Sequence, residues 1–146
     1  MLMARYGITQ DGQKNPSRVG QGVVFKLTQP ASGAGAWTET ALYNLKNSGA
    51  LLEEGLVIDT QGSLYGVTWD GGSANKGAVF KLTPPATSMG AWTQSILYSF
   101  TGGSDGFEPH GGVIFGRGGA LYGTAKWGGA SGLGTVFQIT RPGCSN

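Results

Sequence analysis

The chain is poor in the residue types that several common protein classes require. Only 12% of its 146 residues are charged, which excludes a coiled coil or a protein built from long exposed helices. The net charge is +2, too small an excess to build the basic surface that nucleic-acid binding needs. We therefore expect no nucleic-acid partner.

Cysteine, histidine and long apolar runs are equally scarce. The single cysteine, Cys144, excludes an internal disulfide framework and a multi-cysteine zinc site. His110 is the one histidine, which excludes a two-histidine metal site within one chain, and we expect no metal and no other cofactor. No run approaches the roughly 18 apolar residues of a membrane span, and the opening residues form no signal-peptide run. We expect no membrane partner and no export signal in this chain, and the compartment stays open.

Glycine is abundant, and the chain repeats itself. Glycine accounts for 28 of the 146 residues, against an average usage of about 7%, and predicts a fold of strands and turns. The segment GVVFKLT at Gly22 returns as GAVFKLT at Gly77 and as GTVFQIT at Gly134, with starts 55 and 57 residues apart. A period of this length indicates a repeat architecture.

One period contains four short β-type runs, at residues 56–59, 63–69, 78–83 and 92–100. The short glycine-containing segments 60–62 and 117–119 are typical of hairpin turns. Four-stranded antiparallel units at this period predict an all-β fold, a partial β-propeller of about 2.5 blades. We expect one repeat domain over residues 1–146, with a partial blade of three strands at 5–45, a full blade of four strands at 56–100 and a partial blade of three strands at 112–140.

Several motifs recur in a fixed order along the chain. They are LYGT at 121–124, GG at 128–129, GTVF at 134–137, WT at 92–93, LYSF at 97–100 and GGSDG at 102–106, followed by Pro109. In these motifs the chain resembles the bacterial Gloeobacter and Verrucomicrobia ("GloVer") tandem-repeat family. The resemblance implies a propeller-like protein, usually secreted or attached to the cell surface, without known catalytic residues. More loosely, residues 105–114 followed by Leu121 and Tyr122 are similar to a blade boundary of NHL-type propellers.

In the predicted blades, the loops at 70–76 and 127–133 and the crossover at 104–110 emerge on one face. That face is the place for a ligand site. The candidate ligand-binding residues are Trp69, Asp70, Asn75, Asp105, His110 and Trp127. The two tryptophans occupy equivalent positions, where an indole stacks on a sugar ring or a proline-rich segment, or packs between adjacent blades.

A second group of residues formally fits hydrolytic chemistry. Residues 102–106 match the pattern G-x-S-x-G around Ser104, but no helical pattern follows, as a nucleophile elbow requires. Asp105, Glu108 and His110 form a polar cluster in sequence, although Asp105 and Gly106 also form an ordinary turn dipeptide. Ser104, Asp105, Glu108 and His110 are thus the candidate catalytic residues. The other carboxylates considered, Glu53, Glu54 and Asp59, fit solvated loops better.

These observations favour a non-catalytic binding or structural module that presents loops to a glycan, peptide or protein. The alternative is a hydrolase of a polysaccharide or ester. Because propellers close with about four to eight blades, 2.5 blades cannot form a ring alone. We expect either a homo-oligomer, of which a dimer is the simplest, or a fragment of a longer chain.

Overall fold

The computed structural model of the protein describes residues 4–9, 22–45, 55–87 and 89–140, and within these ranges the fold is all-β, as predicted. Their only helix is a three-residue 3-10 turn at Arg117–Gly119, and none is long and apolar enough to cross a membrane. Cys144, Glu53 and Glu54, which the sequence singled out, lie outside the described residues.

Ten strands in the described ranges form three antiparallel sheets, none of which closes on itself. The first sheet contains β1 (Ala4–Thr9), β2 (Val23–Thr28) and β3 (Thr38–Asn44). The middle sheet contains β4 (Val57–Ile58), β5 (Leu64–Thr68), β6 (Ala78–Thr83) and β7 (Thr93–Ser99). The last sheet contains β8 (Phe107–Phe115), β9 (Leu121–Trp127) and β10 (Thr135–Ile139). Within each sheet the strands are adjacent in chain order, which confirms the predicted meanders of three, four and three strands.

Each sheet contains one close approach between a glycine and a phenylalanine on the neighbouring strand. The paired residues are Gly7 and Phe25, Gly66 and Phe80, and Gly123 and Phe137. A Cβ atom at Gly66 would lie 2.8 Å from the tip of the Phe80 ring, so only glycine leaves room for the ring. This packing explains why both residue types return in every repeat.

The middle sheet buries both of its faces. Leu64, Phe80 and Leu82 on one face form a hydrophobic cluster with Val24 and Leu45, which belong to the first repeat. On the opposite face, a second cluster joins the middle and last sheets through Tyr65, Val67, Val79, Val113, Leu121 and Ala125. The three sheets therefore pack in chain order, with the middle sheet between the other two, and burial of these apolar faces drives the packing.

The last sheet begins earlier than the sequence indicated. Residues 107–110 were expected in a crossover loop, but β8 starts at Phe107 and pairs with β9 from Trp127 onward. The pairing shifts between His110 and Val113, where Gly111 and Gly112 have φ angles of 77° and 73°. These conformations suit glycine and form a bulge, so β8 bends without leaving the sheet.

Candidate functional site

A groove of about 250 Å³ lies where the middle and last sheets meet. Trp69, Asp70, Asn75 and Lys76 line one wall and come from the segment after β5, whereas Glu108 lines the other wall and comes from β8. Three of the predicted ligand-binding residues, Trp69, Asp70 and Asn75, are thus brought together in one groove.

The two walls of the groove are joined by main-chain contacts. The Glu108 N–H group donates a hydrogen bond to the Lys76 carbonyl oxygen at 3.0 Å. Pro109 packs so closely against Gly77 that a Cβ atom there would clash with the proline ring. These contacts join the backbone segments on the two sides of the groove.

Two lining residues have unusual backbone conformations. Asn75 and Glu108 are the non-glycine residues with positive φ in the described ranges, at 53° and 54°. Asparagine tolerates this region, and the Asn75 Oδ1 atom accepts a hydrogen bond from the Gly71 N–H group at 3.0 Å. Glutamate lacks this tolerance, and holding such a residue in the left-handed conformation costs about 1–3 kcal/mol. Such conformations cluster at binding and catalytic sites.

The groove offers complementary polar groups beside an aromatic ring. Asp70 and Glu108 supply carboxylates, Lys76 an ammonium group and Asn75 an amide. The Lys76 Nζ atom lies 4.9 Å from the centre of the Phe107 ring, which steadies the ammonium group. The Trp69 Nε1 atom is buried and has no hydrogen-bond partner in the described structure. In the ranges described, no group of three His, Cys, Asp or Glu side chains could hold a metal ion.

Asp105, another predicted ligand-binding residue, lies outside the groove and holds the turn before β8. Its Oδ2 atom accepts hydrogen bonds from the Thr101 N–H group at 2.8 Å and the Tyr98 hydroxyl at 2.9 Å. Its Oδ1 atom accepts one from the Thr101 hydroxyl at 2.6 Å. Partial burial favours a higher pKa for Asp105, but the hydrogen bonds from Thr101 and Tyr98 outweigh it, and the pKa is lowered. The carboxylate is thus ionised and engaged by its own turn.

His110 and Ser104 occupy two further places. His110 lines a second depression of about 250 Å³ with Ile114, Tyr122 and Val136 on the outer face of the last sheet. Ser104 is exposed in the turn before β8, which continues as a strand and not as a helix. The four candidate catalytic residues, although neighbours in sequence, therefore lie in three different surroundings. Only Glu108 lines the groove.

Trp127 occupies the position equivalent to Trp69, but its side chain is 45% exposed. Within the described structure no further sheet supplies a second wall beside it. Its loop also differs, because Gly132 and Leu133 stand where the middle repeat has Asn75 and Lys76. Among the described residues, the last repeat therefore does not repeat the groove of the middle one.

The sequence reasoning missed one residue of the groove and the partners of Asp105 outside it. Lys76 lies within the predicted loop 70–76 but was not singled out, and its replacement by Leu133 in the last repeat was the available signal. Tyr98 and Thr101, which bind the Asp105 carboxylate, carried no signal beyond their place in the repeat.

Comparison with known proteins gives a family and no close relative. A family model described as the Gloeobacter/Verrucomicrobia repeat matches residues 4–145. No curated protein matches the chain, and no solved structure matches it.

Proposed function

The chain belongs to the Gloeobacter/Verrucomicrobia repeat family, and we propose that it is a non-catalytic binding module whose groove between the middle and last sheets receives a glycan. The observation that carries this proposal is the meeting of an indole, two carboxylates, an amide and an ammonium group in one groove. A peptide or protein ligand remains the competing occupant and is an outcome of the test below.

As part of this proposal, the three sheets are blades of an incomplete β-propeller with about 2.5 blades. Antiparallel meanders that follow one another in chain order and pack face to face support it. The contact of β8 with β4 and β5 also supports it, because the first strands of adjacent blades lie nearest one another around a propeller axis.

The side chains of the groove match the chemistry of a sugar. Sugar hydroxyls donate hydrogen bonds to carboxylates such as Asp70 and Glu108, and they accept hydrogen bonds from ammonium and indole N–H groups. The Trp69 Nε1–H group is buried and has no partner in the described structure, so a shift of the indole that let a ligand oxygen reach it would satisfy a costly unmade hydrogen bond. A glycan also tolerates an open groove, because its bonds to protein are shared with water.

The first experiment is an array of bacterial and plant cell-wall oligosaccharides, probed with the full chain. Binding of a saccharide, followed by calorimetry, is the expected result. Trp69→Phe keeps the aromatic face and removes the N–H donor, and Lys76→Met removes the ammonium group. We expect each to weaken binding by about tenfold, the value of one hydrogen bond at about 1.4 kcal/mol.

The repeat supplies matched controls for these variants. Trp127→Phe changes the equivalent tryptophan outside the groove, and Lys126→Met removes an exposed ammonium group beside it. Both should bind the saccharide as the unchanged chain does. Equal losses in Trp69→Phe and Trp127→Phe would contradict a site in the groove, and an array without any saccharide signal would contradict a glycan ligand.

A hydrolase of a polysaccharide or ester is the second candidate, because Asp70 and Glu108 place two carboxylates in the same groove. Paired carboxylates are the machinery of glycoside hydrolysis. The test is release of reducing ends from any saccharide that the array identifies. Release that Glu108→Gln abolishes would establish the enzyme, whereas binding without release would leave the binding module.

A further inference from the structure

Two sheet faces have no covering sheet within the described structure. The first is the outer face of the last sheet, called here the tail face, with Ile114, Tyr122, Thr124 and Val136. On it Ile114 is 65% exposed and Val136 is 75% exposed. The second is the face of the first sheet that points away from the middle sheet, called here the head face, with Phe25 and Leu27.

The repeat identifies the kind of surface that fits the tail face. Ile114, Tyr122 and Val136 are equivalent to Val57, Tyr65 and Val79 of the middle sheet. Those three residues pack against the inner face of the last sheet, where Val79 is fully buried. The tail face is therefore a second version of a surface that, one repeat earlier, is covered by another sheet.

The head face is a version of the covering surface. Phe25 and Leu27 are equivalent to Phe80 and Leu82, which face the first sheet, and to Phe137 and Ile139, which pack against the middle sheet. Phe25 and Leu27 themselves take no part in either hydrophobic cluster of the described residues. The described sheets thus present two unlike faces of the types that already pack together twice between them.

We propose that a second copy of this chain docks head to tail, with the head face of one copy on the tail face of the other. The depression of about 250 Å³ between Ile114, Tyr122 and Val136 would receive apolar side chains of the incoming head face. Two copies joined by two such contacts form a ring of six sheets, within the range of about four to eight blades in closed propellers. Unlike faces that meet in this way form a ring when the rotation closes.

One residue makes this contact weaker than the two internal ones. Arg5 stands on the head face where the other sheets have Leu64 and Leu121. A charged residue at this position costs desolvation unless a polar group meets it. We therefore expect association at micromolar concentrations, dependent on dilution, and not a permanent complex.

The test is the mass of the full chain at micromolar concentration, by native mass spectrometry and light scattering. The expected mass is twice that of the 15.0 kDa chain. Val136→Lys changes an exposed residue of the tail face and should give the mass of one chain. Met89→Lys introduces the same charge at a residue that is 95% exposed in the loop between β6 and β7, and it should leave the mass of two chains.

Mixing two variants distinguishes a head-to-tail contact from a contact between two copies of the same face. Leu27→Glu alters the head face opposite Arg5 on the neighbouring strand, so the introduced carboxylate has a partner in the folded chain, and circular dichroism checks the fold. Each variant alone should remain single, because each lacks one of the two faces. A mixture of Val136→Lys and Leu27→Glu should form one-to-one pairs, because one variant still offers a head face and the other a tail face.

Three results would overturn the proposal. They are a single chain at all concentrations up to hundreds of micromolar, a complex that Val136→Lys leaves intact, and a Leu27→Glu chain that still pairs with itself. A series of masses at successive multiples of the chain mass, abolished by Val136→Lys, would support the head-to-tail contact. It would mean that the copies form an open filament and not a ring. None of these results depends on the glycan-binding groove, whose residues differ from those of both faces.

Discussion

The middle and last sheets are built from the same repeat but have different neighbours. Val79 is fully buried, whereas its equivalent Val136 is 75% exposed. Trp69 lines a groove beside a neighbouring sheet, whereas Trp127 has no such neighbour in the described structure. Equivalent residues thus acquire different roles from the sheet that lies next to them. In this fold the neighbour, and not the repeat alone, decides which positions form core and which form a site.

The largest expected difference concerns the phenylalanine that covers a glycine in each sheet. Phe80 is fully buried in the middle sheet, whereas Phe137 in the last sheet is only partly buried. Phe80→Ala should lower the free energy of unfolding by about 3–5 kcal/mol, the usual cost of such a cavity. Phe137→Ala should cost about half as much, because less surface leaves water there on folding. Urea unfolding of both variants measures the difference, and equal losses would mean that the last sheet is as fully packed as the middle one.

A change at Gly66 tests the close contact between glycine and phenylalanine that the middle and last sheets share. A Cβ atom at Gly66 would lie 2.8 Å from the Phe80 ring and 2.9 Å from a Leu56 methyl group. Gly66→Ala should therefore lower the free energy of unfolding by up to about 3 kcal/mol through overpacking. Gly123→Ala should be similarly costly, because a Cβ atom there meets the Phe137 ring.

The double variant Gly66→Ala with Phe80→Ala gives the control for this clash. Since the truncated ring no longer opposes the new methyl group, the double variant should lose less stability than the two single changes predict together. Strict additivity in urea unfolding would contradict the steric explanation.

Much of this packing followed from the sequence, whereas the site followed only in part. The recurring glycine and phenylalanine, with the alternation around them, predicted strand pairing, strand count and the hairpin turns, because these depend on local spacing. The sequence did not predict that β8 starts at Phe107, since the glycine-rich stretch at Gly111 and Gly112 fits a loop as well as it fits a bulge in a strand paired with β9. The hydrogen bond from the Glu108 N–H group to the Lys76 carbonyl then joins β8 to the middle repeat, so the second wall of the site depends on contacts between repeats.

A smaller loss of stability is expected at the equivalent valines Val79 and Val136, which differ in whether another sheet covers them. Val79→Ala should lower the free energy of unfolding by about 2 kcal/mol, because it removes buried methyl groups and leaves a cavity. Val136→Ala should change it by less than about 0.5 kcal/mol in dilute solution, as exposed substitutions usually do. Thermal unfolding at low concentration checks both. A rise in the cost of Val136→Ala with protein concentration would show that another molecule covers this residue.

The smallest expected loss of stability concerns Asp59 and Asp105, the carboxylates that hold one turn in the middle sheet and one turn before the last sheet. Asp59 accepts hydrogen bonds from the Tyr65 hydroxyl and from the N–H groups of Gln61 and Ser63, all at 2.9 Å. Asp105 accepts them from Tyr98 and Thr101. For each, partial burial favours a higher pKa, but the hydrogen bonds prevail and lower the pKa of Asp59 and Asp105 below the ordinary 3.8.

Because each pKa is lower in the folded chain, each carboxylate stabilises the fold above the ordinary value of 3.8. This stabilisation is lost as the pH falls below that value and through the folded pKa. Asp105→Asn and Asp59→Asn should each lower the free energy of unfolding at pH 7 by about 1 kcal/mol, and each should flatten the decline in stability below about pH 4. Urea unfolding from pH 7 to pH 2.5 measures both effects. A variant whose decline matched that of the unchanged chain would mean that its carboxylate does not hold the turn.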